Sequence, residues 1–195
     1  MNFESSETKI NLMRAFAGES QARNRYDISA EKARSDGYFA IAKLFHLTAK
    51  QEQAHATVFY NYLKKVNFSD FDICASYPVN VLDTTLEYVK AAQKNEEDEF
   101  EKIYSDFSKI AKEEGFIDIA NSFEMIAKIE EIHSDRFLRL ANEMTDDSLY
   151  VKETDTIWRC TNCGFEIHSK GAPLVCPVCS HTRGHFLEKD YFNIL

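Results

Sequence analysis

Glycine and proline are scarce in this chain, with 6 Gly and 3 Pro in 195 residues. A fold of many short strands needs both at its turns, so their scarcity excludes such a fold and predicts long helices with few interruptions. The scarcity is uneven. Residues 1–155 hold Gly18, Gly37, Gly115 and Pro78, whereas the last 40 residues hold the other three Gly, two Pro and four of the five Cys. Two differently built pieces therefore meet near residue 150, with expected bounds of 1–148 and 149–195. Long apolar runs are also missing. No stretch approaches the roughly 18 residues needed to span a bilayer, and MNFESSETK at the N-terminus has neither the basic nor the apolar region of a signal peptide, so a soluble cytoplasmic protein is expected. Bases are outnumbered 23 to 32, for a formal charge of −9, and the first 155 residues carry 29 acids against 19 bases. Such a surface repels phosphate backbones and anionic lipid, so neither nucleic acid nor a membrane is an expected partner.

What is present is helical periodicity. Apolar and small residues recur every three or four positions along about 7–34, 38–66, 80–113 and 116–144, separated by short breaks and by one longer stretch, 67–79. Four amphipathic helices of this length predict a four-helix bundle, with 67–79 as the crossover between two hairpins. Each apolar stripe carries a carboxylate near its middle: Glu19, Glu52, Glu96 and Glu130. An unpaired ionised group is costly there. On the second and fourth stripes a histidine follows three residues later, giving Glu52-x-x-His55 and Glu130-x-x-His133, each with both side chains on one helix face.

The halves repeat. Glu52 lies 15 residues after Gly37 and Glu130 lies 15 after Gly115, and Tyr26 matches Tyr104. Glu19, however, lies 18 residues before its glycine and Glu96 lies 19 before its own. One extra residue between Glu96 and Tyr104 is expected, most simply as a π-bulge; without it, Glu97 would point inward instead. A carboxylate from each of two helices plus Glu-x-x-His from each of the other two is the ligand set of a dinuclear carboxylate site in ferritin-like bundles. Two divalent irons or manganeses suit such oxygen-rich ligands with some imidazole. Solvated helix faces are the alternative, and the coincidence of all four carboxylates with the apolar stripe in duplicate argues against it. Glu99 has no counterpart, since the matching position is Ala22; it is either one more solvated acid or a seventh ligand. Tyr26 and Tyr104 either fill the core or donate to a ligating carboxylate.

The tail holds Cys160-x-x-Cys163 and Cys176-x-x-Cys179 with 12 residues between the pairs, a spacing that closes a tetrahedral four-thiolate metal site. Zinc, as the commoner occupant, and a rubredoxin-like iron both fit. Cys74 reads as a small buried thiol, and His46, His168, His181 and His185 lie off the ligand pattern.

FAGESQARNRY (Phe16 to Tyr26), EQAH (Glu52 to His55), EEIH (Glu130 to His133), WRCTNCGF and CPVC together resemble the rubrerythrin family over nearly the whole chain. The resemblance implies an all-α ferritin-like four-helix bundle followed by a small rubredoxin-like, metal-stapled β domain. It implies two non-haem irons on Glu19, Glu52, Glu96, Glu99, Glu130 and His133, with Glu52 and Glu130 bridging and His55 exchanging with Glu99 as the redox state changes. It also implies one iron on Cys160, Cys163, Cys176 and Cys179. The implied activity is reduction of hydrogen peroxide to water in oxidative-stress defence, with electrons from NAD(P)H through a partner reductase or a rubredoxin. A homodimer with each tail iron near the partner's di-iron site is implied as well. The 12-residue gap, and Ser180 where a glycine often follows the last ligand, depart from ordinary rubredoxin. A ferritin-like storage or ferroxidase protein with a structural zinc tail is the alternative; a zinc-ribbon interaction module fits poorly with so acidic a bundle.

Overall fold

Ser6 accepts from the Lys9 N–H and starts α1 (Glu7–Ser35), which ends where Gly37 turns the chain at φ 87°. After α2 (Phe39–Leu63) the chain crosses over to α3 (Thr85–Asp98), a π-helical turn (Glu99–Ile103) and α4 (Tyr104–Glu114). Gly115, at φ 90°, repeats the role of Gly37, and α5 (Ile117–Thr145) completes the bundle. Both turns demand a left-handed residue, which glycine adopts without a Cβ clash. The computed structural model describes residues 2–65, 70 and 72–192. Among these, no helix is long and apolar enough to cross a membrane.

The expected helices are present with one displaced start. The third begins at Thr85 rather than near residue 80, because Thr84 and Glu87 form a reciprocal capping box there, while residues 79–83 after Pro78 are not helical. The expected crossover, 67–79, lies partly outside the described residues. The extra residue falls where the repeat demands it, as the π turn between Glu96 and Tyr104.

Duplication extends to the helix ends. Asp36, after α1, accepts from the backbone N–H and hydroxyl of Thr85 at 3.2 and 2.7 Å; Glu114, closing α4, accepts from those of Thr8 at 2.8 and 2.5 Å. Each hairpin thus caps the other's first helix with a negative charge at its positive end.

Two apolar layers fill the bundle. Phe45 packs on Phe137 with centroids 5.3 Å apart, and Phe59 packs on Phe123 at 5.1 Å, so each α2 ring meets the ring that duplicates the other. Glu52 and His55 lie between Phe45 and Phe59 on α2, and Glu130 and His133 lie between Phe123 and Phe137 on α5. The carboxylate layer is therefore sandwiched between two greasy ones.

The tail is a three-stranded antiparallel sheet in the order β2 (Glu166–Gly171), β1 (Val151–Cys160), β3 (Phe186–Glu188). Leu187 and Tyr191 join the bundle's upper core. Around them Arg139 and Lys152 bind Glu188 at 3.0 and 2.8 Å and Glu143 at 2.9 Å each. Gly184 lies so close to Gly37 that a Cβ would sit 1.8 Å from its carbonyl oxygen.

Replacing Asp36 or Glu114 by alanine is expected to cost about 1 kcal/mol each. Lys32 and the Thr85 donors hold the Asp36 carboxyl below its usual range, and for Glu114 the donors on Thr8 and Glu7 outweigh the cost of burial. Depressed carboxyls stabilise above the unfolded value of about 4, so the deficit seen at pH 7 in urea unfolding should narrow as the pH falls below that value.

Candidate metal centres

Four glutamates and two histidines meet between the two aromatic layers. Glu19 comes from α1, Glu52 and His55 from α2, Glu96 from α3, and Glu130 and His133 from α5, and none is more than 9% exposed. They form two overlapping groups whose donor atoms lie within 4.8 Å of one another: Glu19, Glu52, His55 and Glu130, then Glu52, Glu96, Glu130 and His133. Glu52 and Glu130 belong to both. Each group adds one further carboxylate and one imidazole, so the donor set is that of two adjacent cations sharing two bridges.

On the His133 side close approach is not hydrogen bonding, whereas His55 Nδ1 is hydrogen-bonded to Glu52 Oε2. His133 Nδ1 lies 2.8 Å from Glu130 Oε2 and 3.1 Å from Glu52 Oε1, yet has no hydrogen-bond partner. Both Glu130 oxygens, Glu52 Oε1, Glu19 Oε2 and Glu96 Oε2 are likewise buried without one. His133 Nε2 lies 3.1 Å from Gln51 Oε1, so an imidazole that keeps its ring hydrogen on Nε2 would turn Nδ1 toward the carboxylates as a ligand once a metal replaces the second proton. On the other side, His55 Nδ1 lies 2.8 Å from Glu130 Oε1 and 3.0 Å from Glu52 Oε2. Lone pairs aimed at common points in a dry core fit divalent metal.

The outer contacts repeat the duplication. Tyr26 donates to Glu96 and Tyr104 donates to Glu19, each phenol holding the carboxylate of the other hairpin. Glu97 stays at the surface on Lys94 at 2.7 Å, so Glu96 is the inward residue. Sequence reasoning missed Gln51 and Arg136. Arg136 is 5% exposed, donates to Thr48 and carries its charge toward Glu96 and Glu52. Its signal was its position, one turn after His133 on the same face.

Glu99 stands outside both groups. It lies half-buried in the π turn, lining a cavity of about 460 Å³ with Tyr104, Arg25, Asn95 and Tyr77. Burial, then the charge of Glu19, pushes its carboxyl well above the usual range. Burial also raises Glu19, and it raises Glu96 to about 8. Against burial, the two histidines hold Glu52 down at about 2, and the surrounding carboxylates push both histidines up despite their own desolvation.

In the tail, the Sγ atoms of Cys160, Cys163, Cys176 and Cys179 lie within 4.8 Å of one another, with Cys160 to Cys179 and Cys163 to Cys176 at 3.7 Å. The His181 backbone N–H holds the Cys179 thiol down to about 6, while burial and the neighbouring thiols push Cys163 up to about 12 in the metal-free cluster. Cys74 corrects an expectation: it is exposed, and its carbonyl accepts from Arg14 at 3.2 Å. His46 pairs with Asp27 at 2.9 Å, His168 is exposed on β2, and His181 and His185 flank the cysteine knuckles.

A family model for rubrerythrin matches residues 11–141, and one for the rubrerythrin rubredoxin-like domain matches residues 158–187. The chain belongs to the rubrerythrin family. It is 40% identical over 186 residues to the rubrerythrin of Clostridium perfringens, covering 95% of each chain, and 38% identical over 185 residues to that of Nitratidesulfovibrio vulgaris, again 95% of each. Among solved structures, mixed-valence nigerythrin superimposes with a TM-score of 0.62 at 25% identity, covering 93% of this chain and 86% of the other. A Desulfovibrio desulfuricans bacterioferritin, at 22% identity and TM-score 0.65 over 73% of this chain and 82% of the other, shares the bundle fold. As a rubrerythrin, the chain takes a di-iron centre and one iron on its four cysteines.

Removing iron from the bundle is expected to leave a protein whose stability falls as pH rises. Glu19, Glu96 and Glu99 have folded values above the unfolded carboxyl value of about 4.3, and the histidines lie above about 6.5, so the folded state binds the extra protons between pH 5 and 8. Raised groups stabilise at low pH and lose that contribution as pH rises. Thermal unfolding at pH 5 and 8 should show this loss for the metal-free chain and not for the iron-loaded one.

Proposed function

We propose that this chain is a peroxidase that reduces hydrogen peroxide to two waters, taking electrons from an NAD(P)H-dependent reductase or a rubredoxin through its tail iron. The observation that carries the reading is the pair of centres on one chain: a doubled carboxylate and histidine set in the bundle and a four-thiolate set in the tail. Residues 1–148 form the di-iron unit and 149–195 the electron-entry unit in this reading. Two ferrous ions on these residues would supply the two electrons that, with two protons, turn peroxide into two waters, and an iron on the four thiolates would return those electrons one at a time.

The residues have distinct roles. Glu52 and Glu130 are the shared ligands; Glu19 and His55 complete one position, and Glu96 and His133 the other. Tyr26 and Tyr104 orient Glu96 and Glu19. Burial and the neighbouring carboxylates push both phenols well above their usual range, which keeps them as O–H donors. Glu99 is the reserve carboxylate on the cavity side, with His55 inside the donor group and Glu99 outside it. The family-based homodimer, with each tail iron serving the partner's centre in the cytoplasm, belongs to the same proposal. Iron storage with a zinc tail accounts for the bundle and leaves the electron-entry role of the four thiolates unexplained.

Anaerobic peroxide consumption coupled to NADH oxidation through a reductase tests this. The parent should turn over; Cys160→Ser should keep the bundle iron and lose about tenfold or more in reductase-coupled rate. A Cys160→Ser chain as fast as the parent overturns the electron-entry role. Glu99→Gln should retain both bundle irons and slow turnover by about tenfold; unchanged kinetics would remove Glu99 from the mechanism.

A further inference from the structure

The bundle reaches into the tail's cysteine site at one point. Phe39, at the start of α2, stacks on His185 with centroids 4.3 Å apart and planes 8° from parallel. One turn along the same helix, the ammonium of Lys43 donates to the backbone carbonyl of Thr161, the residue after Cys160. Thr161 is pinned from the other side, its N–H and hydroxyl both donating to the His185 carbonyl at 2.8 and 3.0 Å. The first cysteine knuckle is therefore clamped between a lysine of the bundle and a ring stacked on the bundle.

Lys43 is the informative member. Its ammonium meets the backbone carbonyl next to a cysteine of the tail site rather than a carboxylate. In a chain of net charge −9, a lysine that engages a carbonyl beside a thiolate ligand is a placed charge.

We propose that Lys43 is the bundle's contribution to the tail iron site, a positioning residue whose charge, fixed on the Thr161 carbonyl, raises the potential at which that iron accepts an electron. Four thiolates around ferric iron carry a net charge of −1, and one electron from a reductase takes this to −2 with no proton moved. A nearby cation stabilises the second state more than the first. For a solvent-exposed ammonium beside the site, screened by water, the bias is roughly three- to tenfold in the reduction equilibrium, tenfold being ~59 mV for one electron. Linkage makes the effect reciprocal: reduction strengthens the Lys43 contact, and with it the docking of tail on bundle, by the same factor. The inference rests on the tail iron being the electron-entry site, but its readout does not pass through peroxide.

The test is an anaerobic redox titration of the full-length, iron-loaded chain, following the ferric-thiolate visible band with a dithionite reductant. Lys43→Met should titrate at lower potential, by three- to tenfold in the equilibrium constant, with the band shape unchanged. Lys43→Arg should titrate with the parent, and the gap between parent and Lys43→Met should shrink at high salt. A Lys43→Met chain within twofold of the parent at low salt overturns the proposal, as does a Lys43→Arg chain that falls equally far, since charge would then not be the agent. If the Met variant does not hold iron, Lys43→Gln carries the same comparison. Loss of peroxidase activity in the parent would overturn the proposed function and leave this result standing.

Discussion

Everything in the bundle answers to one electrostatic constraint: four glutamates held together where water does not reach. Without compensation, each would be driven to take up a proton, as the raised carboxyls of Glu19 and Glu96 show. The surrounding structure works against this. His55 and His133 face the shared pair, Arg136 brings a buried positive charge, and two phenols bind the outer pair. The aromatic layers above and below keep the groups dry and therefore strongly coupled to any cation that joins them. Burial of charge, elsewhere a liability, is here what makes the donor set a strong metal site.

The stripe periodicity gave away the helices, because long amphipathic segments bury one face whatever their neighbours are. The duplicated spacing also located the π turn, since Glu19 and Glu96 stand at different distances from Gly37 and Gly115. Local signals failed where tertiary partners decide. Nothing in one helix says that Asp36 will cap Thr85, that Tyr26 will hold Glu96 rather than Glu19, or that Gln51 will orient His133. The late start of α3 is a contest between apolar periodicity and the Thr84–Glu87 capping box, which the box wins. Cys74 is exposed because its segment has no helical or strand periodicity that would turn one face inward.

Tail and bundle are joined by more than a connector. Leu187 and Tyr191 enter the bundle core, and Glu188 sits between Arg139 of α5 and Lys152 of β1. Gly184 lets the knuckle loop rest directly on the α1–α2 turn. The small sheet is thus seated on a defined place, and its cysteine loop inherits a fixed electrostatic neighbourhood from helices it is not part of.

Exact duplication would have produced a centre with two interchangeable faces. The single residue added in the π turn prevents that. Where one half offers Glu99 beside a cavity, the other offers the methyl group of Ala22, packed at 3% exposure. The cavity therefore lies on the side of the centre that Glu99 and Tyr104 line, and helices that repeat in their ligands do not repeat in what they present to the outside.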